Sequence, residues 1–171
     1  MKKVILLSVF CAMSLLGLHA QSFALIDMEY ILENIPAYQQ ANNQLEQLSQ
    51  QYQKAVEAKA KEAENLYKSY QQTSATLSAS QKTQKEEAIV AKEKEAAELR
   101  MKYFGPEGEM AKKQDELIGP IEDSIYEAVK QVAIRRGYDA VIDRASASSV
   151  IFASPSIDIS NEILAKLGYS N

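Results

Sequence analysis

The chain has 171 residues, 46% apolar and 25% charged, with one Cys, one His and no Trp. That apolar share supports a packed core in one ordinary domain, or in a small domain with a long appendage, and excludes a wholly disordered chain. The net charge of −4 argues against a general nucleic-acid binder, which needs a basic face against phosphate.

At the start, Lys2 and Lys3 precede an apolar run from Val4 to Leu18, interrupted by Ser8, Ser14 and Gly17, and Leu18-His19-Ala20 closes it with a small residue. The pattern predicts a secretory signal peptide over residues 1–20, cleaved near Ala20. A membrane anchor is the alternative, but the run is short for a bilayer span, which takes about 20 residues. Cys11 lies in the run without the small residues of a lipoprotein signal before it. The mature chain loses Lys2 and Lys3 and keeps 17 basic against 23 acidic residues, or −6, with neither Cys nor His. Disulfides, Cys nucleophiles, Ser-His-Asp triads and Cys/His zinc sites are thereby excluded. No enzyme activity and no cofactor is expected.

Phe23-Ala24-Leu25-Ile26 reads as a first strand. From Ala37 to Phe104 there is neither Gly nor Pro, and Ala, Gln, Glu and Lys dominate, so the segment is predicted helical. Leu45, Leu48, Tyr52, Val56, Ala60, Ala63, Tyr67, Tyr70, Ser74 and Leu77 follow one another in steps of three and four, the seam of a coiled coil or of an amphipathic helix on a core. One straight helix of this length would extend about 100 Å, so a hairpin is the better reading. Thr73 to Ser80 holds five hydroxyl residues and no charge, which favours a turn, with Ser80 as N-cap of the returning helix. Interleaved Lys and Glu along both helices read as a solvated face.

Gly105-Pro106-Glu107-Gly108 must kink or break the returning helix. Helical spacing resumes at Met110, Gln114, Leu117, Ile121, Ile125, Val129 and Val132, with a second bend expected at Pro120 and a stop at Arg135-Arg136-Gly137. Tyr138 to Ile142 and Val150-Ile151-Phe152 read as strands forming an antiparallel hairpin. A last short helix is predicted with Ser160 as N-cap and Gly168 as its stop. The fold class is therefore α+β. Residues 21–36 and 110–171 build a small body, and 37–109 form a protruding helical hairpin with its tip near 73–80. A body this small is marginal alone, which points to oligomerisation through it. Asp27, Asp139, Asp143 and Asp158 lack the dense oxygen spacing of a calcium loop, so no metal site is predicted.

The order of these elements resembles the Skp (OmpH-like) family of periplasmic chaperones over the whole mature chain. The residues that carry the resemblance are the first strand ending in Asp27-Met28, the Gly137-Tyr138-Asp139-Ala140-Val141-Ile142-Asp143 segment, the Val-Ile-Phe strand, and Asp158-Ile159-Ser160 before the last helix. The resemblance implies a homotrimer whose bodies associate through β-strands. Its helical arms surround a cavity that holds unfolded outer-membrane proteins in the periplasm without ATP. Transient contact with a membrane surface fits such a role; nucleic acid does not. The chain departs from the best-known members, which are strongly basic. Residues 41–104 carry ten basic and nine acidic residues, while 21–40 and 105–171 carry −3 and −4.

A protein that holds many unfolded sequences needs scattered apolar contacts on an adaptable frame. Tyr52, Tyr67, Tyr70, Leu77, Ile89, Leu99 and Tyr103 suit client contact, with seam packing as the alternative for each. Phe23, Leu25, Val141, Ile142, Val150, Ile151 and Phe152 are expected to form the body sheet and its trimerisation surface, with plain core packing as the alternative. Gly105, Pro106 and Gly108 are either a simple kink or a hinge that lets the arms spread. A structural or adaptor coiled coil of the envelope with one folded partner is the competing function.

Overall fold

The computed structural model describes residues 22–147 and 149–169; the predicted signal peptide lies outside them. In chain order, β1 is Phe23–Ile26, α1 is Met28–Glu33, α2 is Pro36–Thr73 and α3 is Ala79–Phe104, followed by α4, Glu109–Arg136. Then come β2, Ala140–Asp143, a 3-10 turn at Pro155–Ile157 and α5, Ser160–Lys166. The chain divides into a sheet unit, residues 22–34 and 124–169, and a hairpin unit, residues 35–123.

In the sheet unit β1 and β2 pair in parallel, with Phe23 opposite Ala140 and Ile26 opposite Asp143. Leu25 also forms a parallel bridge with Asp158, so β1 has neighbours on both edges. A strand so enclosed is buried on both faces and reads as a continuous apolar run, as Phe-Ala-Leu-Ile does. Ala24, Leu25 and Ile26 are buried with Ile31 and Leu32 of α1, Ile125, Ala128 and Val132 of α4, and Ile159, Ile163 and Leu164 around α5. Gly137 and Gly168 take the left-handed conformation, φ 72° and 88°, and end α4 and α5 as their positions predict.

Polar side chains stitch these elements together. Asp27 caps α1 by accepting from the Tyr30 N–H at 2.9 Å, while its own N–H donates to Ser160 Oγ at 2.9 Å. The Ser160 hydroxyl donates to Asp158 Oδ1 at 2.7 Å. Arg144 donates to Asp27 Oδ2 and lies 3.7 Å from Asp158 Oδ2. Asp143 accepts from the Met28 and Ala145 N–H groups, each at 3.1 Å. Burial pushes the Asp143 carboxyl up, but these bonds and those from Ser146 outweigh it and hold it below its ordinary range. Glu162 is held low by hydrogen bonds from Arg136, then, against its burial, from Arg135. Depressed carboxylates contribute stability that is complete above the unfolded-state value and is lost as pH falls through the folded-state one. Urea midpoints should therefore drop on acidification below about pH 4, and Asp143→Asn should flatten that drop while costing about 1 kcal/mol at neutral pH. Equal acid slopes for both proteins would contradict this.

Three expectations need correction. Val150-Ile151-Phe152 is not a strand, and no antiparallel hairpin forms; β2 pairs with β1 instead. Apolar, β-branched composition marks a segment fit for pairing but not which edge it finds. The returning helix starts earlier, at Ser78. The Ser78 side chain accepts from the Gln81 N–H, and the Gln81 side chain from the Ser78 N–H, a reciprocal capping box. Ser160 is inside α5, after an Ile159 cap, because its hydroxyl is engaged by Asp27 and Asp158. Separately, α4 continues as helix across Pro120, where the bend was expected.

Candidate functional site

In the hairpin unit α2 and α3 pack along one another, joined by a 3-10 turn at Ser74–Thr76 and the Ser78 cap. Ala63, Ile89 and Ala96 are buried in this unit. Small residues let helix axes approach, which leaves longer side chains on the flanks. Helical periodicity puts two kinds of surface on opposite flanks of the seam. One flank carries a charge ladder: Lys59 lies 3.3 Å from Glu62 and 3.9 Å from Glu95, and Lys92 lies 3.4 Å from Glu62 and 2.7 Å from Glu95. The charges read as a solvated face thus also bridge the two helices.

The other flank is hollowed. One cavity of 400 Å³ is lined by Gln53, Val56, Glu57, Arg100 and Phe104. A second, of 380 Å³, is lined by Ala60, Ala63, Glu64, Tyr67, Glu93 and Ala96. Leu66, Tyr67, Val90, Met101 and Phe104 are all exposed on the hairpin.

The candidate contact residues divide accordingly. Tyr67 is 48% exposed, whereas Ile89 is only 6% exposed and belongs to the seam. Tyr70, Leu77 and Leu99 are half-buried. The Tyr70 hydroxyl donates to the Glu86 carboxylate, which raises its pKa together with burial. Tyr52 and Tyr103 face each other: their rings stack at 3.9 Å between centroids and 3° between planes, and Phe104 meets Tyr52 edge-on at 6.4 Å. The Tyr52 hydroxyl donates to Glu109 Oε2 at 2.7 Å. That bond, then burial and the Glu109 charge, push the Tyr52 pKa up to about 12. Glu109 is held low by the same bond, against burial, and by Lys102 at 3.3 Å. No local sequence signal marks this pair, whose members stand 57 residues apart.

The bend between α3 and α4 is tightly closed. The Gly105 N–H donates to the Met101 carbonyl and the Gly108 N–H to the Gly105 carbonyl, each at 2.9 Å. A Cβ on Gly108 would come within 2.8 Å of the Tyr103 carbonyl, and one on Gly105 would press into the Met101 carbonyl. Both positions need glycine for close approach, not for an unusual φ. Through Glu109, Tyr52 fastens α2 to the residue that follows this bend.

In the sheet unit, Leu25 is 1% exposed and is core. Val141 and Val150 are half-buried, while Phe23, Ile142, Ile151 and Phe152 are exposed, the last two at 99% and 85%. Among the described residues, no group of three or more His, Cys, Asp or Glu is placed to hold a metal, and no helix is long and apolar enough to cross a membrane.

A small parallel sheet and a long helical hairpin, with shallow apolar surfaces on both, define an α+β protein of the hairpin-bearing type. The family described as "Outer membrane protein (OmpH-like)" matches residues 22–167, and the chain belongs to that family. It is 27% identical over 148 residues to the chaperone protein Skp of Yersinia enterocolitica, covering 86% of this chain and 87% of that one. It is 25% identical over 145 residues to the Skp of Pectobacterium atrosepticum, covering 85% and 84%. A crystal structure of an OmpH-like outer membrane chaperone from Caulobacter crescentus shares the fold, with TM-score 0.63 and 14% identity over 88% of this chain and 86% of that one.

Proposed function

We propose that this chain is an ATP-independent periplasmic holdase. It binds unfolded outer-membrane proteins in a cavity between the helical hairpins of a homotrimer and prevents their aggregation. The observation that carries this reading is membership of a family whose matched relatives are named as chaperones along nearly their full length. The hollowed flank of the hairpin supports it physically. Shallow apolar contacts at Val56, Tyr67, Val90, Met101 and Phe104 are individually weak, but burial at ~25 cal/mol per Å² accumulates over three hairpins. Leu77 at the hairpin turn, Leu99, Tyr70 and the Tyr52–Tyr103 stack add half-buried area elsewhere on the hairpin. Phe23, Ile142, Ile151 and Phe152 would form the contacts between protomers, because apolar side chains this exposed are a liability unless another chain covers them. Export through the predicted signal peptide and transient contact with the membrane surface complete the reading.

The test is native mass spectrometry of the mature chain, alone and after dilution of a urea-unfolded outer-membrane barrel protein into it. The expected result is a trimer that takes up client and keeps it out of the pellet. A trimer that ignores the client would instead favour an adaptor of one folded partner, and a monomer in both samples would remove the cavity.

A further inference from the structure

The 380 Å³ cavity on the hairpin flank has a chemistry that apolar client contact does not use. It is lined by three alanines, Ala60, Ala63 and Ala96, by Tyr67, and by two acidic residues, Glu64 and Glu93. No cation lines it. The Tyr67 hydroxyl accepts from Gln71 at 3.0 Å, and the residue is 48% exposed. Apolar, aromatic and acidic lining residues together suit a basic side chain. The methylene stem lies on apolar surface, and the charged head meets both a π-face and an anion.

From this we propose that the cavity receives a Lys or Arg side chain of the client, so that the hairpin selects apolar segments that carry basic residues. The inference rests on the holdase reading of the hairpin. Charge complementarity is the argument for this occupant: two acidic residues and no basic one line the cavity, and Glu93 has no ion-pair partner among the described residues. Glu64 pairs with Lys68 one helical turn away, and Lys61 adds its charge nearby. The Glu64–Lys68 pair is exposed on both sides. Such exposed i,i+4 pairs are weak, so an incoming cation that also gains the Tyr67 ring displaces Lys68 at little cost. The neighbouring 400 Å³ cavity differs, because Arg100 and Glu57 both line it and its polarity favours neither charge.

The test uses the assembled full-length mature protein and fluorescein-labelled peptides of matched length, each with three Leu in a Ser/Gly frame and three Lys, three Gln or three Glu. Fluorescence anisotropy reads the dissociation constants. The expected order is Lys tighter than Gln, and Gln tighter than Glu. The double variant Glu64→Gln/Glu93→Gln should weaken the Lys peptide about tenfold and leave the Gln peptide within twofold. Tyr67→Leu, which keeps the apolar wall, should weaken the Lys peptide severalfold more than the Gln peptide. Equal affinities for all three peptides, or equal losses in the variants, would overturn the proposal while leaving the holdase reading intact. If no peptide binds and client protein is still kept soluble, the proposal falls alone; if neither peptide nor client is held, both fall.

Discussion

Replacing Ile151 and Phe152 together with Asp is expected to dissociate the protein to monomers and abolish retention of unfolded clients. These two side chains are almost bare, at 99% and 85% exposure, in a stretch that pairs with neither strand of its own chain. Covering each in an interface contributes about 2 kcal/mol, so the double change removes roughly 4 kcal/mol per protomer. It also confronts the partner with carboxylates that must be desolvated. Summed over three protomers the loss exceeds ~10 kcal/mol, more than a micromolar assembly tolerates. Far-ultraviolet circular dichroism should change little, because neither side chain contributes to the core around Leu25, Ile31 and Ile163. Sedimentation velocity gives the answer directly. An unaltered trimer would mean that these residues meet solvent or client rather than one another.

Gly105→Ala/Gly108→Ala should displace the bend rather than merely stiffen it. Closing the chain here brings the Met101 and Tyr103 carbonyls against both glycines, and relieving such overlaps costs typically 1–3 kcal/mol each. The cheapest relief is to unwind the last turn of α3, which carries Tyr103 and Phe104. The Tyr52 stack and the Tyr52–Glu109 hydrogen bond would then be lost with it. Tyr52→Phe separates the contributions: it keeps the stack and removes the hydrogen bond to the Glu109 carboxylate. Thermal midpoints should fall in the order wild type, Tyr52→Phe, double alanine. Paired spin labels on α2 and on α4 beyond Glu109 should report broader distances only in the last. Unbroadened distributions there would refute a closed, glycine-dependent bend and restore the freely swinging hinge.

Much of this architecture was legible because it is local. Phe-Ala-Leu-Ile, the Gly- and Pro-free helical run, the hydroxyl-rich turn and the stops at Gly137 and Gly168 each announce themselves within a few residues. Local chemistry also explains the misplacement at Ser80. Two serines compete for the cap, and the winner is the one whose third neighbour is a Gln able to reach back. What escaped was contact at a distance. Nothing near Tyr52 specifies Glu109, and nothing in Val150-Ile151-Phe152 states that its partner edge is not β2. Within the segments that carry the family resemblance, Asp27, Asp143 and Asp158 prove to be structural. Each accepts or donates in the polar stitching around Ser160 and Arg144, outside the hollowed flank of the hairpin. They identify the fold without touching the surface where the proposed chemistry takes place.

The parallel pairing of β1 with β2 has a temporal consequence. Residues that meet across it, such as Ser22 and Asp139, are 117 positions apart, and the whole hairpin lies between them. A chain emerging from its N-terminus therefore presents Phe23–Ile26 long before β2 exists to receive it. The hairpin contacts are nearer neighbours and close at lower entropic cost, so they should form first and draw the two distant strands together. During that interval the first strand is an unpaired apolar segment, the same kind of object that the finished protein is proposed to shelter. A newborn copy thus has the properties of a client for a mature one.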